Sequence, residues 1–453
     1  VIVETFDPGK ADLTRWAMAL AARSSLAWLD GAAGHGEAGR FSFLGCDPVE
    51  TRSAATTWKE VCSMLDELAQ DRAIDRPLVG ALTVGRVPRW VGYVAYDATF
   101  LRDDVAAPTR PKAAHSPLWF GRYDAWLVLD HIAAAAWIVG ESVEACAGLR
   151  RKLDGTPRSM RAATGLLECG DAEQHIRAID VALDAIGRGD LYQVNLAREW
   201  QAPMRGDALA LWAAMRVQGA VPMGAYLDVG DHQVLARTME CFVAWDRSTG
   251  RLETRPIKGT VARRGDRDAE DADALLNDDK ERAEHAMIVD LMRNDLGRVA
   301  EVGSVRPFDV MRVEPYAGLS HLVSSVRCKT RPEVGLGKIF DATFPPGSVT
   351  GTPKLAAIAQ IEALEAQPRG IYTGAVGYVD ASGGCQFAVA IRTAVVRDGV
   401  ARYFAGGGIV EASRSESELA ETTLKARVFT DAIRQLHEEP PPQSTGTRKE
   451  IEL

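Results

Sequence analysis

The seven cysteines, at 46, 62, 146, 169, 241, 328 and 385, include no Cys-x-x-Cys and are widely spaced. An odd, scattered set argues against a disulfide framework or a zinc cluster and fits a reducing cytosol. Basic blocks are also lacking. The formal net charge is -9, and the arginines are interspersed with acids, so no nucleic-acid partner is expected. The longest apolar stretch, 125–139, is broken by Asp130 and His131 and is too short to span a membrane. It reads as two strands joined by a turn. No signal peptide is legible at the start, which opens on valine. No Gly-x-Gly-x-x-Gly follows a strand, and the glycine run 406–408 has no nucleotide motif around it. The turn 347–354 lacks phosphate-loop spacing, although backbone N–H groups there could hold a carboxylate.

What is present is a chain of 453 residues with alternating and helical apolar patterns and no short internal repeat. Helices are expected at 58–68, 175–186, 279–296, 354–366 and 416–436. Strands are expected at 40–44, 91–96, 126–129, 191–196, 226–228, 233–236, 374–380, 386–396 and 401–405. Residues 226–236 read as a hairpin closed near Gly230. The proline-bearing stretch 103–117 reads as a loop, and the polar 151–170 as a surface connection. Mixed helices and meandering strands predict an α+β fold.

Several side chains could carry chemistry. Glu281 and Glu284 lie three apart on one expected helix, and Glu418 and Glu421 three apart on another, which puts each pair on one helical face. Such faces could hold magnesium, which takes oxygen ligands, or they could be solvated surface. Lys425, four residues after Glu421, suits an ion pair with it. Ser415 and Glu418 suit a capping box. Arg392 interrupts an apolar strand and must be paired or bind a ligand such as a carboxylate, and Tyr372, on the strand or turn before it, could share that ligand. His321 suits a structural or a catalytic role. Lys258 is either a surface charge or, if desolvated, a nucleophile.

Read together, the ordered motifs resemble the chorismate-utilising enzyme family. They are Gly189-Asp190-Leu191-Tyr192-Gln193-Val194-Asn195-Leu196, Pro256-Ile257-Lys258-Gly259-Thr260, Glu281-Arg282-Ala283-Glu284-His285, the run 288–298, the turn 345–354 and Gly406-Gly407-Gly408-Ile409-Val410. The likeness is strong over 173–430 and looser before it, through 40–45 and 91–93.

The resemblance implies two large antiparallel β-sheets packed face to face with outer helices. It divides the chain into an N-terminal subdomain (1–165) and a chorismate-binding catalytic domain (166–437), and the charged, proline-bearing stretch 438–453 reads as a disordered tail. Glu284 and Glu421 match the main magnesium-binding acids, and Glu281 and Glu418 the supporting ones. Arg392 and Tyr372 match residues holding the enolpyruvyl carboxylate. Lys425, Gly407 and Thr260 belong with the substrate-binding set. His321 matches a histidine beside the substrate ring, and Glu240 the general acid near the leaving C4 hydroxyl.

Three branches of chemistry follow from the resemblance. Water-adding members carry a lysine at the position of Gln193, which sets this chain apart from them. Anthranilate synthases usually have alanine at the position of Lys258. The lysine is the signature of the aminodeoxychorismate branch, in which its amine is proposed to attack C2 of chorismate. The residues also depart from the family pattern: Thr238-Met239-Glu240-Cys241 replaces the usual Ser-Pro-Glu, and 413–416 lacks the usual proline. A non-catalytic chorismate-binding subunit is therefore a further alternative. No amidotransferase motif is legible, so a separate glutamine amidotransferase subunit is the implied ammonia source.

Overall fold

The computed structural model describes residues 1–7, 12–21, 25–32, 39–71, 87–111, 113–219, 221–263, 265, 267–316 and 319–438. Apart from Glu438, the expected tail lies outside the described residues.

Two antiparallel sheets form the α+β frame. Among the described residues one has 13 strands and the other ten. The larger runs from Ile2–Phe6 at one edge, through Phe41–Cys46, Leu26–Asp30, Met223–Asp228, His232–Thr238, Thr393–Arg397 and Val400–Ile409, to the long strand Gln193–Gly206. The smaller runs from Ile257–Ala262 through Leu319–Lys329, Arg251–Arg255, Cys241–Asp246, Cys385–Val389, Ala375–Asp380 and Pro88–Val94 to Leu118–Arg122 and Glu50–Arg52. Each sheet mixes strands from before residue 165 with strands from after residue 190.

The sheets face each other across a shared apolar core. Ala27, Leu29, Phe43 and Leu227 from the larger meet Val91, Tyr93, Val376 and Ala388 from the smaller. Helices Leu13–Ala21, Ala208–Arg216 and Ser415–Glu438 carry apolar stripes that pack on the outer face of the larger sheet. Trp58–Gln70, Asp279–Gly297 and Leu336–Thr343 do the same on the smaller. Burying one face of each element against another is what makes this layered arrangement stable.

Two expectations need correction. The polar stretch 151–170 is not a plain connection: it ends the helix Val143–Leu153 and supplies the short strands Ala162–Thr164 and Glu168–Cys169, which pair with Gln193–Gly206. The expected strand 386–396 is two strands in different sheets, Cys385–Val389 and Thr393–Arg397. Arg392 sits in the break with φ +52°, not inside a strand. A left-handed residue cannot continue a pleated strand, and it turns the chain from one sheet to the other.

Candidate active site

The chain changes sheets twice side by side. One crossing runs from His232–Thr238 to Cys241–Asp246 through Met239 and Glu240. The other runs from Cys385–Val389 to Thr393–Arg397 through Arg392. The paired strands hold the crossings together, and the Arg237 N–H donates to the Arg392 carbonyl at 3.0 Å. Glu240 and Arg392 thus enter one cavity of about 220 Å³.

The same cavity is lined by Lys258, Glu281, Glu284, His321, Tyr372, Glu418, Glu421 and Lys425. Residues spread over nearly 190 positions of sequence converge on one pocket. Asn195, Met239, Ile257 and Ser348 lie within the motifs quoted above without having been given a site role, and Leu319, Ile391 and Phe404 carried no signal; all seven also line it. They are ordinary apolar or small polar residues until the fold brings them there.

Lys258 lies on strand Ile257–Ala262 beside an irregularity in its pairing with Leu319–Lys329. Gly259 makes that irregularity with φ +68°, a conformation glycine adopts without steric cost. A Cβ at Gly259 would stand 3.1 Å from Glu281 Oε2. Across the cavity, a Cβ at Gly408 would stand 2.5 Å from Lys258 Nζ and 3.2 Å from Gln193 Nε2. The glycine run is therefore the floor onto which the lysine reaches. Gly406 and Gly408 line the cavity, whereas Gly407 lies behind it, its bare Cα leaving room for Glu418 Oε2.

Glu240 is buried, and burial pushes its carboxyl up to about 7, against a hydrogen bond from Ser348 and the charges of Lys258 and Lys425. A carboxyl in that range can hold and release a proton near neutrality. The His321 ring donates from Nδ1 to the Gly259 carbonyl at 3.1 Å, which makes Nε2 the basic nitrogen. Burial, helped by Arg392, pulls that ring down to about 4, so it is neutral at pH 7. Thr260 pairs with His321 across the strands, and its side chain lies outside the described residues.

Arg392 donates from Nη1 to the Lys425 carbonyl at 2.9 Å. Tyr372 stacks on Phe404, with ring centroids 5.5 Å apart and planes 19° apart. Lys425 forms the expected i,i+4 ion pair with Glu421 at 2.6 Å and donates to the Gly406 carbonyl at 3.0 Å. Ser415 does not cap with Glu418: its hydroxyl bonds Asp180, and Ser413 donates to Glu418 at 2.6 Å.

The four acids come from two helices, Asp279–Gly297 and Ser415–Glu438, and all face the cavity. Their donor chemistry, carboxylate oxygen throughout, fits a hard divalent cation. Among the described residues no three such side chains converge as a formed metal cluster. In this arrangement Lys425 pairs with Glu421 Oε1 and Ser413 donates to Glu418 Oε1, each carboxylate having a second oxygen as a further acceptor.

Comparison with known proteins identifies the family. The profile of the chorismate binding enzyme family matches residues 19–431. An aminodeoxychorismate synthase of Streptomyces griseus is 34% identical over 434 residues, 88% of this chain but only 59% of that protein's own length. Anthranilate synthase component 1 of Synechocystis is 33% identical over 455 residues, 88% of each chain. The crystal structure of anthranilate synthase component I from Streptococcus pneumoniae superposes with a TM-score of 0.74 at 28% identity, covering 86% of this chain and 92% of that one. The chain belongs to the chorismate-binding enzyme family of anthranilate and aminodeoxychorismate synthase component I. No helix among the described residues is long and apolar enough to cross a membrane.

Proposed function

We propose that this protein aminates chorismate at C4, giving 4-amino-4-deoxychorismate. The observation that carries the reading is Lys258 reaching into the same cavity as a buried, protonatable Glu240. Arg392 and Tyr372 hold the enolpyruvyl carboxylate, and the Lys425 side chain serves the ring carboxylate. The Lys258 amine attacks C2 through its nitrogen lone pair as Glu240 protonates the departing C4 hydroxyl, which leaves as water. Ammonia then attacks C4 and the lysine leaves from C2. His321 stands beside the ring as a neutral group. Glu284 and Glu421, with Glu281 and Glu418 in support, would hold magnesium, which supplies charge neutralisation for the substrate carboxylate when bound. A glutamine amidotransferase subunit would supply the ammonia.

Two observations favour a second reading, anthranilate synthase component I: the Streptococcus structure and the Synechocystis match, which covers most of both chains. One assay separates the two. The protein is incubated with chorismate, magnesium and ammonium, and the products are resolved by chromatography and mass. Aminodeoxychorismate is expected; anthranilate with released pyruvate would install the second reading. Tight chorismate binding without turnover, even with an amidotransferase added, would instead mark a non-catalytic binding subunit. Lys258→Ala is expected to abolish amination, and full activity in that variant would exclude a covalent lysine.

A further inference from the structure

Arg369 does not line the cavity, yet it bonds directly to two residues that do. Its side chain is completely buried. Nε donates to Glu365 Oε2 at 2.9 Å, and Nη2 donates to Glu365 Oε1 at 2.6 Å and to the Asn195 carbonyl at 2.7 Å. Nη1 donates to the Val349 carbonyl at 2.9 Å and to the Thr373 hydroxyl at 3.2 Å. All five N–H donors of the planar guanidinium are engaged.

The acceptors are where the interest lies. Asn195 and Val349 line the cavity. Val349 follows Ser348, the hydrogen-bond partner of Glu240. Thr373, with φ +62°, donates a hydrogen bond from its own hydroxyl to the Tyr372 carbonyl at 2.6 Å. Glu365 in turn accepts from the Ala197 N–H at 2.8 Å, which ties the same guanidinium to the long strand Gln193–Gly206.

We infer that Arg369 is a positioning residue for this site: through Val349 it holds Ser348 against Glu240, and through Thr373 it sets Tyr372 against the substrate. Buried ion pairs add little net stability compared with well-packed apolar groups, so a pair kept in a site wall serves geometry more than stability. A lysine here has three donors on a rotatable head and cannot serve the same acceptors at once.

The second half of the inference rests on the cavity being the chorismate site; the first half does not. Two measurements test it, neither of which needs turnover. One is an infrared titration of the Glu240 carboxyl, with Glu240→Gln identifying its band. The other is the chorismate Kd by calorimetry without ammonium. In Arg369→Lys the Ser348 hydrogen bond, which favours the ionised carboxylate, is weakened. The Glu240 titration is expected to move up by roughly one pH unit and Kd to rise about tenfold. Thr373→Val keeps the ion pair and removes only the hydroxyl link, so it is expected to raise Kd about threefold and leave the titration in place. A folded Arg369→Lys protein with the wild-type titration overturns the route to Glu240. An unchanged Kd in Thr373→Val overturns the route to Tyr372 whether or not Arg369→Lys folds, and Arg369→Gln, a smaller polar replacement, carries the titration arm if Arg369→Lys does not fold. A wild-type protein that titrates as stated but does not bind chorismate would sink the proposed function, and the titration arm would still judge Arg369.

Discussion

At the scale of single residues, Glu240 illustrates how burial turns an ordinary acid into a candidate proton donor. Its carboxyl titrates near 7 in the folded chain, above its usual 4.5, so the folded state binds more protons than the unfolded state between those values. Stability from this group is therefore fully present below about 4.5 and lost as pH rises through about 7. Glu240→Gln is expected to remove that dependence. Relative to the wild type, the variant should gain on the order of 3 kcal/mol between pH 4 and pH 8, as read by urea denaturation at each pH. The same substitution should cost roughly 100-fold or more in turnover. Measured at a fixed concentration of free ammonia, the wild-type pH profile should show an inflection near 7 that Glu240→Gln removes; the same inflection in the variant would exclude Glu240 as its source. Gly408 gives a complementary test. A methyl group there would stand 2.5 Å from Lys258 Nζ. Gly408→Ala should thus swing the lysine aside and lower turnover at least about tenfold, while the melting temperature changes little because the far end of a flexible side chain can yield. The residues of this site were legible as types. The acid spacings and the lone lysine could be read from the chain, whereas the protonation state of Glu240 could not, because desolvation has no signature in a linear sequence.

At the scale of elements, the site depends on how the helix Asp279–Gly297, which carries two of the acids, is fixed to the turn 345–354. Lys354 Nζ meets Asp295 at 2.8 Å and the Thr343 carbonyl at 2.9 Å, with both side chains largely buried. Burial raises the Asp295 carboxyl and lowers the Lys354 ammonium, each against the pull of its partner. Lys354→Met would strand a buried carboxylate and should destabilise the protein by about 3–5 kcal/mol. Adding Asp295→Asn should restore part of that, a coupling that a double-mutant cycle by chemical denaturation would measure. Additive effects would show that the pair is not coupled. The five helices expected from the sequence lie within a turn of their places, since 3.6-residue periodicity and caps are local signals, whereas Leu13–Ala21, Val143–Leu153, Ala208–Arg216, Asp268–Asn277 and Leu336–Thr343 were not read. The break at Arg392 was misread for the same reason: its neighbours alternate as one strand would, and only the pairing partners reveal that 385–389 and 393–397 belong to different sheets.

At the scale of the whole molecule, the two sheets interleave strands from both ends of the chain. Pro88–Val94 pairs with Ala375–Asp380, and Leu26–Asp30 pairs with Met223–Asp228. A chain starting at residue 166 would expose the inner faces of both sheets and leave strand edges unpaired. Such a fragment is expected not to fold by circular dichroism and proton NMR. A cooperative thermal transition in the fragment would show that the later strands suffice. The sequence alone determined the family, the α+β class and the types of side chain available to the candidate site, because local periodicity and ordered motifs survive in one dimension. The tertiary structure alone decided that Glu240 and Arg392 share a double crossing between sheets, that Lys258 rests on a glycine floor, and that Arg369 braces the walls. Those facts depend on contacts between distant segments and on the loss of water around them, and neither is written in the order of residues.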